Sequence, residues 1–66
     1  MKIEIDREVD AAYIYAKSHI GEGEAVKTIE VNEDIILDFD VNGKLIGIEI
    51  LNASKNLTKD FLNSIA

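Results

Sequence analysis

The chain of 66 residues contains no cysteine, no proline and no tryptophan, and it has a single histidine. Without cysteine it can form neither a disulfide framework nor a cysteine-based zinc site. A signal peptide needs about 7–15 consecutive apolar residues and a membrane span about 20, and no such run occurs. The length suits one domain. We therefore expect a single cytoplasmic domain over residues 1–66 that does not enter a membrane.

Basic residues are also scarce, with 7 lysines and arginines against 13 acidic residues and a net charge of -6. A nucleic-acid-binding protein normally carries a basic face, because neutralisation of phosphates supplies most of its affinity. Here the few lysines are scattered, which argues against binding to DNA, RNA or an anionic membrane. The acidity either keeps the protein soluble or complements a basic partner, and composition leaves both interpretations open.

Most of the chain alternates apolar and polar residues with the period of a β-strand. Five segments follow this pattern, at residues 2–6, 11–16, 25–31, 35–40 and 46–50. No connection between them has room for a helical crossover, so neighbouring strands are expected to pair antiparallel as a meander over about residues 2–51. The loop at residues 17–24, with Gly21 and Gly23, is expected to be flexible.

The tail changes to the period of a helix. Leu57, Phe61, Leu62 and Ile65 fall on one stripe and predict an amphipathic helix over about residues 55–65, capped by Ser54 or Thr58. Such a helix needs an apolar surface, and the sheet offers one. The predicted fold is therefore α+β, an antiparallel sheet of about five strands with one C-terminal helix packed on a face.

The pair Asn42–Gly43 is a strong signal for a hairpin between the fourth and fifth strands, with positive φ at Gly43. The aliphatic residues of both strands must share a face to form a core. A slip of one residue inverts a strand, so we predict a loop with an even number of residues. The residues that must then lie on one face are Ile35, Leu37, Phe39, Ile46, Ile48 and Ile50.

The same segment matches the calcium-loop pattern D-x-[DN]-x-[DN]-G-x5-E, through Asp38, Asp40, Asn42, Gly43 and Glu49. That pattern wraps an ion only when helices flank the loop, and here both flanks are strands. A hairpin turn is the simpler interpretation, and the three carboxylates are candidates for no more than a loose surface cation site. We expect no cofactor and no catalytic residue, because no nucleophile has an evident base.

Two sets of residues, Tyr13 with Tyr15 and Ile36 with Leu45, indicate that the protein associates with a second copy of itself. Tyr13 and Tyr15 lie opposite Ala12, Ile14 and Ala16, so the second strand is apolar on both faces. Strands that are buried on both faces carry apolar residues at consecutive positions. A small domain gains stability by pairing with a second copy. We therefore predict a two-fold homodimer. The candidate interface residues are Tyr13 and Tyr15 of this strand, together with Ile36 and Leu45, which lie beside the acids on the more polar face.

Two segments carry a family resemblance. One runs from Asp6 to Tyr15 as D-x-E-x-D-A-x-Y-I-Y, and the other from Asp38 to Ser54 as D-x-D-x-x-G-x-x-x-G-I-E-I-L-x-A-S. With these motifs the chain resembles the family of small prokaryotic proteins catalogued as domain of unknown function 2283, although Ala12 replaces a larger apolar residue. The resemblance implies a compact, sheet-rich domain without an established activity. Members look like companions of small basic toxin-like proteins in some gene neighbourhoods.

The sequence does not identify a reaction, a substrate, a partner or the order of the strands. Our first hypothesis is a non-enzymatic protein-interaction module, in its most concrete form an antitoxin-like protein that neutralises a basic partner. The alternative is a small enzyme or metal-dependent binder that uses the acidic hairpin face. An enzyme needs convergent polar groups in a concave site, whereas a binding module needs only a surface.

Overall fold

The computed structural model describes residues 2–65 and contains five strands followed by two short helices. The strands are β1 (Lys2–Asp6), β2 (Ala11–Tyr15), β3 (Lys27–Glu30), β4 (Ile35–Phe39) and β5 (Leu45–Leu51). The helices are α1 (Ala53–Asn56) and α2 (Lys59–Ser64). The predicted α+β fold, with its antiparallel sheet followed by helix, is confirmed.

The strands lie in the order β1-β2-β5-β4-β3, and every neighbouring pair is antiparallel. The order is meander-like, because three of the four consecutive pairs are neighbours. The expectation that all consecutive strands pair is wrong for β2 and β3, since β5 and β4 lie between them. The connection over residues 16–26 crosses three strand spacings, about 14 Å, which a chain of this length spans easily.

The strand register separates two very different faces. One face carries a row of aliphatic residues that crosses all five strands, and we call it the aliphatic row: Ile3, Ile14, Ile48, Leu37 and Ile29. A second row on the same face consists of Ile5, Ala12, Ile50 and Ile35. The opposite face carries tyrosines and carboxylates and is described below. This division follows from the period-two alternation of the strands.

The predicted tail helix is present as two short segments, because Leu57 adopts an extended backbone with φ -111° and ψ 144°. Thr58 caps α2, as predicted, and its hydroxyl accepts the Phe61 N–H at 3.1 Å. Helix α1 contacts β5, whereas α2 has no comparable contact with a strand among residues 2–65. The C-terminal helices therefore cover only a small part of the sheet.

The hairpin between β4 and β5 has the predicted aliphatic register but not the predicted loop. Its loop has three residues, Val41 to Gly43, because the Asp40 N–H donates to the Lys44 carbonyl at 2.9 Å. The even loop predicted from the sequence is therefore wrong. A bulge at Ile46 adds one residue to β5 and restores the register, so that Leu37 lies opposite Ile48. Gly43 has φ +77°, as predicted, and fits a type I turn followed by a bulge.

The bulge also changes the position of Leu45. This residue lies opposite Phe39, on the same side of the sheet as the aliphatic row, and not beside Ile36. The expectation that Leu45 and Ile36 share the polar face is thus wrong, because the extra residue reverses the alternation at the start of β5.

Few side chains of the single chain are fully covered. The buried apolar residues are Ala12, Ile46, Ile50 and Ala53, and no large side chain is completely buried within residues 2–65. Helix α1 and Leu57 lie against the second row, around Ala12 and Ile50. The main cluster of buried side chains therefore sits at the Ile50 end of the aliphatic face, and Ile46 is buried separately near the start of β5. Neither helix in the described part of the chain has the length and hydrophobicity needed to cross a membrane.

Candidate functional site: the tyrosine–carboxylate face

The polar face of the sheet brings two tyrosines together with carboxylates from several strands. One cross-strand row places Glu4, Tyr13, Glu49, Ile36 and Glu30 side by side. The next row contains Tyr15, Gly47 and Asp38. We call this surface the tyrosine–carboxylate face and define it by six residues: Glu4, Tyr13, Tyr15, Ile36, Asp38 and Glu49.

Tyr13 occupies the centre of this face and lies across the backbone of Gly47. A Cβ atom at position 47 would stand 1.9 Å from the Tyr13 hydroxyl, so only glycine admits the ring here. The Tyr13 hydroxyl donates to Asp38 Oδ2 at 2.7 Å, and the Thr28 hydroxyl donates to Asp38 Oδ1 at 3.2 Å. The Asp38 carboxylate therefore joins β2, β4 and β3 across the face.

The surroundings of both tyrosines hold their protons more tightly. Burial, the hydrogen bond to Asp38 and the nearby negative charges raise the pKa of Tyr13 far above its ordinary value. The hydrogen bond to Glu4 is the main reason that the pKa of Tyr15 is raised. Both phenols remain neutral hydrogen-bond donors at physiological pH, so they position carboxylates and are poorly suited to release a proton.

An ammonium group already rests on this face. Lys2 Nζ lies 4.8 Å from the centre of the Tyr15 ring and 3.9 Å from Glu4 Oε2. The rings of Tyr13 and Tyr15 meet edge to face with centroids 4.8 Å apart. An aromatic ring flanked by carboxylates attracts a cation through its quadrupole and through ordinary charge. The face can therefore receive basic side chains.

The face unites most of the residues singled out from the sequence. Tyr13, Tyr15, Ile36, Asp38 and Glu49 all lie on it, whereas Leu45 lies on the other side of the sheet. Asp40 is separated from them, because its Oδ1 accepts the N–H groups of Asn42 and Lys44, both at 2.9 Å. It shapes the turn as an Asx residue does. Within residues 2–65 no group of three or more His, Cys, Asp or Glu side chains is arranged to hold a metal ion.

We expect calorimetric titration with calcium or magnesium to give no binding heat. The physical reason is that Asp40 is engaged by backbone N–H groups and Asp38 by two hydroxyls, so a hydrated divalent ion gains few new ligands. Micromolar binding that Asp40→Asn abolishes, while Glu33→Gln in the β3–β4 turn leaves it intact, would contradict this expectation.

A second polar cluster, not anticipated from the sequence, holds α1 against the sheet. The Asp10 carboxylate accepts the Ser54 N–H at 3.0 Å and the Ser54 hydroxyl at 2.6 Å, and the Asp10 carbonyl accepts the Ala53 N–H. Asp10 has φ +55°, a left-handed conformation that aspartate tolerates better than most residues. The signal was present in the sequence, because Asp10 and Ser54 belong to the two motif segments.

Asp34 forms hydrogen bonds with residues on the other side of α1. Its carboxylate accepts the side-chain amides of Asn52 at 3.1 Å and Asn56 at 2.9 Å, and these bonds lower the pKa of Asp34. Leu51 N–H donates to the Asp34 carbonyl at 2.7 Å. The carboxylates of Asp10 and Asp34 are thus used for structure, as that of Asp38 is, and Glu4 and Glu49 remain as the other carboxylates of the tyrosine–carboxylate face.

Comparison with known proteins matches residues 2–54 to the family described as "Protein of unknown function (DUF2283)". The chain belongs to this family, as its motifs indicated. It is also 42% identical over 60 residues to an uncharacterised protein of Methanocaldococcus jannaschii. The aligned region covers 91% of this chain and 47% of that protein, so the chain spans about half the length of its relative. No solved structure matches the chain.

Proposed function

We propose that the protein is a non-enzymatic, cytoplasmic protein-interaction module whose tyrosine–carboxylate face binds a basic protein partner, in the manner of an antitoxin. The observation that carries the proposal is the position of Lys2, whose ammonium group rests on the Tyr15 ring beside Glu4. A lysine or arginine of a partner finds the same chemistry at Tyr13, between Glu4 and Glu49.

The shape of this region also supports a binding role. An open depression beside Tyr13 is lined by three glutamates and one arginine: Glu4, Glu8, Glu49 and Arg7. It is wide and shallow, which suits the long side chains of a partner better than the enclosure of a small substrate. The net charge of -6 attracts a basic protein from a distance and speeds its association.

The test compares baits that differ in where charge is removed. Wild-type protein, the pair Glu4→Gln and Glu49→Gln, and the matched pair Glu22→Gln and Glu33→Gln are used to capture partners from native cells. Both double variants lose the same charge, but only the first loses it on the face. Each exposed ion pair contributes about 0.2–1 kcal/mol, so the double variant on the face, which loses two such pairs, is expected to bind the captured partner about two- to thirtyfold more weakly than the matched double variant.

Salt provides an independent measurement on the same complex. Affinity for the purified partner is expected to fall steeply as ionic strength rises, because exposed charges are screened beyond about 8–10 Å under physiological conditions. An affinity that is insensitive to salt would overturn the proposal. So would a partner whose binding is weakened equally by the two double variants.

A further inference from the structure

We infer that the aliphatic row is the contact surface of a homodimer, in which a second copy of the chain packs its own aliphatic row face to face on the first. This inference is independent of the proposed function, because it uses the opposite face of the sheet. It also differs from the interface expected from the sequence, which comprised Tyr13, Tyr15, Ile36 and Leu45.

The first argument is the position of the uncovered residues. β5 is the central strand of the sheet, and Ile48 lies in its middle with Ile14 and Leu37 on either side. In a complete domain such residues are buried, yet all three are only half-buried here. Ile29, at the end of the row, is 41% exposed. Helix α1 packs on the neighbouring row around Ala12 and Ile50, and Ile14 and Ile48 lie against the margin of that cluster and remain only half-buried.

The second argument is the amount of surface. A monomeric protein of 7.3 kDa is expected to expose about 4,200 Å², whereas this chain exposes 4767 Å², about 600 Å² more. Its radius of gyration is 12.0 Å, compared with about 11 Å for a compact domain of the same length. A standard interface buries about 800 Å² on each partner. The excess surface is therefore close to what one side of a dimer interface removes.

The third argument is charge. It favours a second copy of the chain as the partner, and it favours contact through the aliphatic face over contact through the acidic face. The aliphatic row has no ionisable side chain, and Lys27, which shares its face, lies on the edge strand β3, so two copies can meet along the row without setting carboxylates against each other. Contact through the tyrosine–carboxylate face would instead set Glu4, Asp38 and Glu49 of one subunit against the same residues of the other. Face-to-face packing of two sheets, about 10 Å apart, keeps both acidic faces outside. A two-fold axis through the row makes the contact self-complementary.

The experiment measures mass by sedimentation equilibrium over a concentration series of the full chain. Wild type is expected to approach twice its monomer mass of 7.3 kDa at high concentration and to dissociate on dilution. Leu37→Glu and Ile36→Glu form a matched pair, since these neighbours in β4 are both half-buried and point to opposite faces. Leu37→Glu is expected to weaken dimerisation about tenfold or more, while Ile36→Glu leaves it nearly unchanged.

Ile29→Glu covers the case in which Leu37→Glu fails to fold. The Ile29 side chain is already 41% exposed in the single chain, so this variant is expected to keep its circular dichroism spectrum and still weaken the dimer. A wild-type monomer at several hundred micromolar would overturn the inference. A dimer that Ile36→Glu disrupts and Ile29→Glu does not would place the contact on the tyrosine–carboxylate face. A dimer weakened by none of the variants would indicate pairing of strand edges, and it too would overturn the inference.

Discussion

Replacing Gly47 by alanine is expected to lower the free energy of unfolding by about 1–3 kcal/mol, the usual cost of overpacking. The added Cβ would stand 1.9 Å from the Tyr13 hydroxyl and 2.5 Å from Cζ of the same ring. Tyr13 cannot move aside freely, because it donates to Asp38 at 2.7 Å and packs against Tyr15. Urea denaturation followed by circular dichroism, at one fixed protein concentration, gives the difference.

A double-mutant cycle distinguishes this clash from a general effect on the strand. In a Tyr13→Ala background the obstacle is gone, and Gly47→Ala should then stabilise the protein by about 0.5–1 kcal/mol, because glycine in a strand is less stable than alanine. The sign of the effect therefore reverses with the residue at position 13. Destabilisation of equal size in both backgrounds would show that the Tyr13 ring does not require glycine beneath it.

Alternation of side chains was sufficient to predict which segments form strands and, apart from Leu45, which residues lie on the aliphatic face. Ile35, Leu37, Ile48 and Ile50 share one side, as expected, because burial of one face imposes the register. The glycine under Tyr13 was not predicted, since Gly47 meets Tyr13 only when β2 pairs with β5. That pairing joins segments separated by more than thirty residues, and local pattern carries no information about it.

The strand order and the bulge could not be predicted either, because both depend on contacts between segments that are distant in the sequence. The connection after β2 is long enough to reach several positions in the sheet, and only the packing of the whole sheet selects the far edge for β3. A three-residue loop with a bulge at Ile46 satisfies the aliphatic register as well as an even loop does. The position of Leu45 depends on that choice, so its assignment to the polar face was wrong although Ile36 was placed correctly.

The candidate site was partly predictable. Period two places Tyr13 with Tyr15 and Asp38 with Ile36, and these residues do share a face. The two aspartates of the calcium-loop pattern have different structural roles. Asp40 accepts backbone N–H groups in the turn, and Asp38 accepts the Tyr13 hydroxyl. A sequence motif gives the residue types and their spacing along the chain. The hydrogen-bond partners of those residues depend on which strands lie beside them in the sheet.

The two faces suggest a division of roles within one thin sheet. Within residues 2–65 helix α1 covers only one end of the aliphatic face, and the opposite face carries Glu4 and Glu49, which we propose contact a basic partner. If both proposals hold, dimerisation presents two acidic faces on opposite sides of the molecule. Variants of the two faces are therefore expected to act independently, because Leu37→Glu changes mass and the pair Glu4→Gln and Glu49→Gln changes partner affinity.

Asp10→Ala is expected to destabilise the protein by about 2 kcal/mol, through two separate losses. The first is the carboxylate that accepts the Ser54 N–H and hydroxyl at the start of α1, an interaction of the capping type worth about 0.5–2 kcal/mol. The second is backbone conformation, because φ is +55° and alanine resists the left-handed region by about 1 kcal/mol or more. Urea denaturation at fixed protein concentration measures the sum.

Two further substitutions separate these losses. Asp10→Gly keeps the left-handed backbone without strain but removes the carboxylate, so it should cost less than Asp10→Ala. Asp10→Asn keeps a side-chain oxygen that can accept from Ser54 and also tolerates positive φ, so it should cost least. Ser54→Ala should remove most of the difference between Asp10→Asn and wild type, because the hydroxyl bond is then absent from both. Equal stability of the glycine and alanine variants would show that backbone conformation at Asp10 is not a constraint. An unchanged stability of Asp10→Ala would show that the contact with Ser54 does not hold α1 on the sheet.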